Sequence, residues 1–273
     1  MTGPELMTGP ELMTGSGGGA ALLAQLPGLA FAAALLVARV GAACMLLPLL
    51  GEAEAPATIR IGITLALVAL LLPGVLPLMP AEPPDIVRTL AMVAAEVGTG
   101  LWLGWLARLV LLALPLAGQF AALATGLSNV LQPDPELGVQ TAASGRLFSV
   151  AAPVLVALTG LYAWPIEALA GSYRLVPPGH LLPAADTVQS VVAAVGEFFA
   201  LGLRLAAPFL VAGLVWQVTL AAVSRLTSPL QLTQALAPAQ LLGGLALLGL
   251  AAAAMLAVWQ DRAAMLLAAL PGL

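Results

Sequence analysis

Five ionisable side chains, Arg39, Glu96, Arg108, Glu197 and Arg204, stand in long apolar runs, where chemistry would have to be sought first. A charge in such surroundings is costly to keep, which makes each a candidate for a proton or ion pathway. Glu96 and Arg108 are twelve residues apart, about 18 Å along a helix, so they cannot pair with each other within it. The residue types favour a structural role, in which each pairs with a neighbouring subunit or sits near an interface. Other chemistry lacks its parts. His180 is the only histidine and Cys44 the only cysteine, so no His or thiolate metal site and no His-based triad can be assembled. No phosphate loop, G-x-S-x-G, H-E-x-x-H or paired-carboxylate pattern occurs. The expectation is a non-enzyme with no cofactor, no metal and no catalytic residue.

The elements that hold these residues follow from composition. Of 273 residues, 61% are hydrophobic and 8% charged, whereas a soluble domain carries about a quarter charged residues. That is too little charge to cover a globular surface, so the chain is an integral membrane protein or a set of helices buried in a larger assembly. All nine basic residues are Arg, and the net charge of −4 is spread thinly, which argues against nucleic acid and against a polybasic lipid anchor. No strand alternation occurs. The expected fold is all-α, a single unit of helical hairpins over residues 18–270 with five or six long hydrophobic helices. Residues 1–17 form a low-complexity head, opening on two copies of MTGPEL, for which disorder is expected.

Apolar runs cover 20–50, 61–80, 86–130, 141–170, 205–224 and 239–260, with a less apolar helix over 185–204. The third run is expected to bend near Pro115 and the fourth to break at Pro153 or Pro165. The stretches 173–183 and 225–238 read as proline-rich breaks, and Trp259 as an interfacial anchor. Positive-inside asymmetry is too slight to orient the chain.

Two patterns stand out. Glu96, Gly100, Gly104 and Arg108 recur every four residues on nearly one helix face. The G-x-x-x-G within them lets a second helix approach closely, and Gly118 and Gly126 extend the same stripe. The second pattern is the polar, proline-bounded stretch after it: Gly126, Leu127, Ser128, Asn129, Val130, Leu131, Gln132, Pro133, Asp134, Pro135, Glu136, Leu137, Gly138, Val139 and Gln140. Composition alone favours a surface turn here. The alternative is a re-entrant loop that obstructs a pore, since irregular backbone at membrane depth must be buried by protein or line a cavity.

These pieces, in this order, resemble the FliR/SctT family of type III secretion export-gate membrane proteins. Arg39, Gly41, Pro48, Pro56 and Arg60 match its first helix and turn. Glu96, Gly100 and Gly104 match its Glu-x-x-x-Gly-x-x-x-Gly segment. Ala117-Gly118, Gly126-Leu127 and Asp134-Pro135 follow, with Arg146 at the expected distance beyond, and SYRLVPPG and SRLTSPLQLTQALAP resemble its later loops. The chain departs from the pattern at Thr159-Gly160-Leu161, where many members have Asn-Gly-His. It departs again at Asn129 and Gln132, where aromatic residues are usual.

The resemblance implies a structural subunit of a protein-conducting gate in the bacterial inner membrane, at the flagellar basal body or the base of a secretion apparatus. It implies assembly with FliP/SctR-like and FliQ/SctS-like subunits and with a FlhB/SctU-like subunit, contact with membrane lipid, and passage of unfolded export substrates. It also implies that the 126–140 loop belongs to the channel plug, and that Glu96, Gly100, Gly104, Arg108, Gly118 and Arg146 serve subunit packing. A flagellar system is favoured as the more widespread user. The competing reading, a small multi-pass secondary transporter, predicts internal repeats with matching broken helices, and no convincing repeat is found.

Overall fold

A computed structural model describes residues 16–52, 55–80, 85–127, 143–225 and 229–273. Among these residues the chain is helical with no strand. The helices are α1 (Ser16–Cys44), α2 (Ala57–Val75, followed by a 3-10 turn, Leu76–Leu78), α3 (Ile86–Thr125), α4 (Ala143–Thr159), α5 (Ala163–Leu175), α6 (Ala184–Val223) and α7 (Pro229–Ala268). Five helices are long and apolar enough to cross a membrane, and α4 with α5 makes a sixth candidate span bent by 74°. The all-α expectation of five or six long hydrophobic helices therefore holds.

Several local expectations are corrected. The first helix stops at Cys44 rather than near residue 50; Pro48 has no N–H to give the Cys44 carbonyl, and a tight turn follows. The third helix, which contains Pro115, ends at Thr125 rather than near residue 130, because Gly126 takes a left-handed conformation with φ 77°. The fourth apolar run breaks at neither proline. Pro153 lies within α4, and Pro165 sits in the first turn of α5, where its missing N–H costs nothing. The break is at Gly160, φ 74°, a conformation that glycine adopts without a Cβ penalty. The irregular stretch expected from 173 begins only at Val176. The expected break at 225–238 is shorter than its sequence suggests, since α7 starts at Pro229 and runs through Pro238.

α3 is the axis. It packs against α1, α4, α5, α6 and α7, and Leu103, Ala107, Val110, Leu114, Ala117 and Ala121 are buried along it. Contacts between elements give the directions. Trp102 meets Ser190, Gly202 meets Leu116, and Gly213 meets Ala124, so α3 and α6 run parallel. Trp259 meets Val110 and Gly244 meets Thr125, so α7 runs antiparallel to both. A parallel pair needs a return connection, and α4–α5 supplies it. Ser144 lies beside Gly118, whereas Gly179, just beyond α5, lies beside Glu96. The bent pair thus travels back along most of α3. At 1.5 Å per residue a 40-residue helix is about 60 Å long, twice a hydrocarbon core of about 30 Å.

Candidate functional site

Two of the five charged residues singled out by sequence, Arg39 and Glu96, meet where α1, α3 and α5 come together. Arg39, near the end of α1, is fully buried, and so is Glu96 in the first third of α3. They form a two-pronged ion pair, Nε to Oε2 at 2.7 Å and Nη2 to Oε1 at 3.0 Å. Planar guanidinium and carboxylate groups match in this way, which makes the pair both strong and directional. Three further hydrogen bonds to the pair come from the segment that ends α5. Arg39 Nη1 donates to Ser172 Oγ at 3.2 Å, and Nη2 to the Val176 carbonyl at 3.0 Å. The Gly179 N–H donates to Glu96 Oε1 at 2.7 Å. The Tyr173 ring lies under the guanidinium, 4.1 Å from its carbon to the ring centroid, a cation–π contact in a dry setting.

Local sequence explains why this segment can serve. α5 ends at Leu175, and Val176 turns to extended backbone, which frees its carbonyl for Arg39. Pro177 and Pro178 bar any further helix, and Gly179 at φ 79° turns its N–H toward Glu96.

The glycine stripe brings the helices to this distance. A Cβ on Gly100 would overlap the Arg39 carbonyl, and one on Gly104 would lie 2.8 Å from the Ala43 carbonyl. The stripe's partner is thus α1 of the same chain. Eighteen residues make five full turns, so Gly118 shares the azimuth of Gly100. It meets α4, where a Cβ would lie 2.7 Å from Phe148 and where Ser144 Oγ donates to the Gly118 carbonyl at 2.9 Å.

Arg108 finds its partner within the chain as well. It pairs with Glu52 at 2.6 and 3.1 Å in the turn after α1, with both side chains about one-fifth exposed. Arg60 braces that turn by donating to the carbonyls of Leu50, Glu52 and Ala55. Within this chain Glu96, Gly100, Gly104, Arg108 and Gly118, expected to serve subunit packing, are engaged by α1, α4 or connecting turns. Arg146 lies on the exposed side of α4. Trp259 is no interfacial anchor, being fully buried with its indole N–H donated to the Val110 carbonyl at 3.1 Å.

The expected plug loop lies outside the described residues except for Gly126 and Leu127. Gly126 closes α3 beside Gln240 of α7; a Cβ there would meet the Gln240 amide. Sequence reasoning flagged Arg39 and Glu96 but not their pairing, and it gave no role to Ser172, Tyr173, Val176 or Gly179. The motif SYRLVPPG was the available signal. Among the described residues no group of three or more metal-ligating side chains comes together. The arrangement is a buried clamp that fixes three helices and a loop.

A family model described as bacterial export proteins, family 1, matches residues 30–266. A protein of Caulobacter vibrioides, called flagellar biosynthetic protein FliR, is 32% identical over 232 residues. That alignment covers 85% of this chain and 92% of the relative. The interval matched by the family model contains the whole clamp, from Arg39 to Gly179.

Proposed function

The chain belongs to the bacterial export proteins, family 1, and from that premise we propose that it is a structural, non-enzymatic membrane subunit of the type III protein export gate. In this reading it sits in the inner membrane at the flagellar basal body. It joins FliP/SctR-like and FliQ/SctS-like subunits, with a FlhB/SctU-like subunit associated, to enclose a channel for unfolded export substrates. The name of the 32% identical relative favours the flagellar system over an injectisome.

One observation carries the structural role. Residues through which the sequence resembles the family, Arg39, Glu96, Gly100 and the Tyr173–Gly179 segment, meet at one junction, where Arg39 and Glu96 are tied to each other and to the end of α5 in a packing role. The clamp makes α1, α3, α5 and the 176–183 loop a stiff frame, and the 126–140 loop, which follows α3 in the sequence, serves as the channel plug. Gating is then a shift of population: contacts of the loop hold the closed state, and an arriving substrate or cytoplasmic component binds the open state better.

The test is co-expression with the neighbouring small membrane proteins, purification through a tag on this chain, and native mass spectrometry. One copy of this chain with several copies of two partners supports the gate. A lone or symmetric homo-oligomeric product refutes it and turns attention to a transported solute. With the complex in hand, deletion of residues 129–139 is expected to make the membrane leaky to small ions.

A further inference from the structure

Arg39, Glu96 and Arg108 are paired within the chain. Glu197 and Arg204 are exposed on α6, and neither has an ion-pair or hydrogen-bond partner among the described residues. Seven residues separate them, 20° short of two turns and about 10.5 Å of rise, so they share one face. That face continues into Val211, Val215 and Val218, all exposed and all within about 60° of Glu197 around the axis. The helix is about twice as long as a hydrocarbon core is thick, so only half of it fits in lipid. Its charge-free part, 205–223, is about 28 Å long and matches that core. The neighbouring helices agree. Trp102 meets Ser190, Leu116 meets Gly202 and Val110 meets Trp259. These contacts set Arg108 of α3, Glu197 of α6 and Asp261–Arg262 of α7 within about one turn of the same height. Past that height α3 carries no charge as far as Thr125, and α7 none back to Pro229. A charge-free slab of three helices therefore ends at one polar rim. Glu197 stands on the rim, and Arg204 lies two turns inside it. Side chains on a helix lean toward its N-terminus, so Arg204 reaches back toward the rim with its apolar stem in the slab.

We propose that this face of α6 binds a zwitterionic aminophospholipid, its phosphate on Arg204, its primary ammonium on Glu197 and an acyl chain along Val211, Val215 and Val218. The order of charges carries the assignment. In such a lipid the phosphate is attached on the acyl-chain side and the ammonium hangs two carbons farther out, so the anion comes first on leaving the core. α6 presents the matching series: apolar valines, then a cation, then an anion. The guanidinium offers a fork of donors to phosphate oxygens, and the carboxylate accepts from the ammonium N–H groups. Separated by about 10.5 Å of rise, Glu197 and Arg204 cannot neutralise each other, whereas a phosphate and an ammonium joined by two carbons bridge them. An anionic lipid without the amine satisfies Arg204 and leaves Glu197 unpaired. The proposal does not draw on the export-gate reading above.

The experiment titrates the full chain in detergent with dioleoyl phosphatidylethanolamine or dioleoyl phosphatidylglycerol and counts bound lipids by native mass spectrometry. The first phosphatidylethanolamine is expected to bind about fivefold more tightly than phosphatidylglycerol, the worth of one partly exposed ion pair. Glu197→Gln should abolish that preference while phosphatidylglycerol binds as before, and Arg204→Gln should weaken both lipids alike. Glu197→Arg should turn the preference toward phosphatidylglycerol, a gain that a misfolded chain cannot show. Absence of binding, equal affinity of the two lipids for the unaltered chain, or a preference that survives Glu197→Gln would overturn the proposal. In cells, a photo-crosslinking residue at Val211 is expected to label phospholipid. Labelling of protein alone would mean that a neighbouring subunit covers this face, and would overturn it equally.

Discussion

The α1–α3–α5 junction and the α6–α7 hairpin are built from the same apolar alphabet but treat their charges in opposite ways, and the hairpin's glycines divide between those that press on α3 (Gly202, Gly213, Gly244) and those that do not. At the junction Arg39 and Glu96 are buried and fully engaged, and Gly100 and Gly104 leave no room for a methyl group. In the hairpin Glu197 and Arg204 are exposed and unmatched among the described residues, and Gly196, Gly243 and Gly249 face open space. The first region carries its own partners; the second shows a surface still to be covered. Within a protein this hydrophobic, apolar composition cannot separate the two, whereas the fate of the charged residues can.

The comparison can be broken most directly at Glu96. Glu96→Ala strands Arg39 in the interior and should destabilise the chain by about 3–5 kcal/mol, seen as loss of the protein from membranes or of its thermal transition in detergent. Glu197→Gln in the isolated chain should leave both readouts unchanged; an equal loss there would erase the distinction. Gly100→Ala forces α1 away and is expected to cost about 1–3 kcal/mol. Gly196→Ala, with open space around it, should be neutral or gain up to about 1 kcal/mol from helix propensity. Comparing the two melting temperatures in the same detergent checks the sign. Trp259→Phe keeps most of the packing and loses the hydrogen bond to Val110, for about 1 kcal/mol; hydrogen exchange of the Trp259 turn should quicken. Smallest is Arg108→Gln, whose partly exposed pair with Glu52 contributes about 0.2–1 kcal/mol. A thermal shift as large as that of Glu96→Ala would mean that the turn after α1 is as central as the clamp.

How far the sequence could be read follows from the range of each signal. Helix existence and the G-x-x-x-G stripe are local patterns, and both were legible. So was the presence of intramembrane charges. Their partners were not, because Arg39 meets Glu96 across 57 residues and Val176 across 137, and no single-sequence periodicity encodes such a meeting. Trp259 read as a belt residue because tryptophan is enriched at membrane surfaces; only the approach of α3 reveals an acceptor for its N–H. The break at Gly160 was obscured by two prolines that helices tolerate better than rule suggests, one in a first turn and one in an apolar helix with neighbours to restrain it. The 126–140 loop stands out by composition, and the structure adds only its root at Gly126.

The clamp also sets a schedule. Arg39 and Glu96 leave the ribosome long before Gly179, which follows Glu96 by 83 residues. At about 5–20 residues per second, the carboxylate waits roughly 4–17 s for its last donor. During that interval α1 and α3 hold a polar pair that is only partly satisfied, and the nascent chain is open to quality control. Slowing synthesis between codons 96 and 179 should therefore lower the yield of mature protein more than an equal delay after codon 180, with no change to any residue.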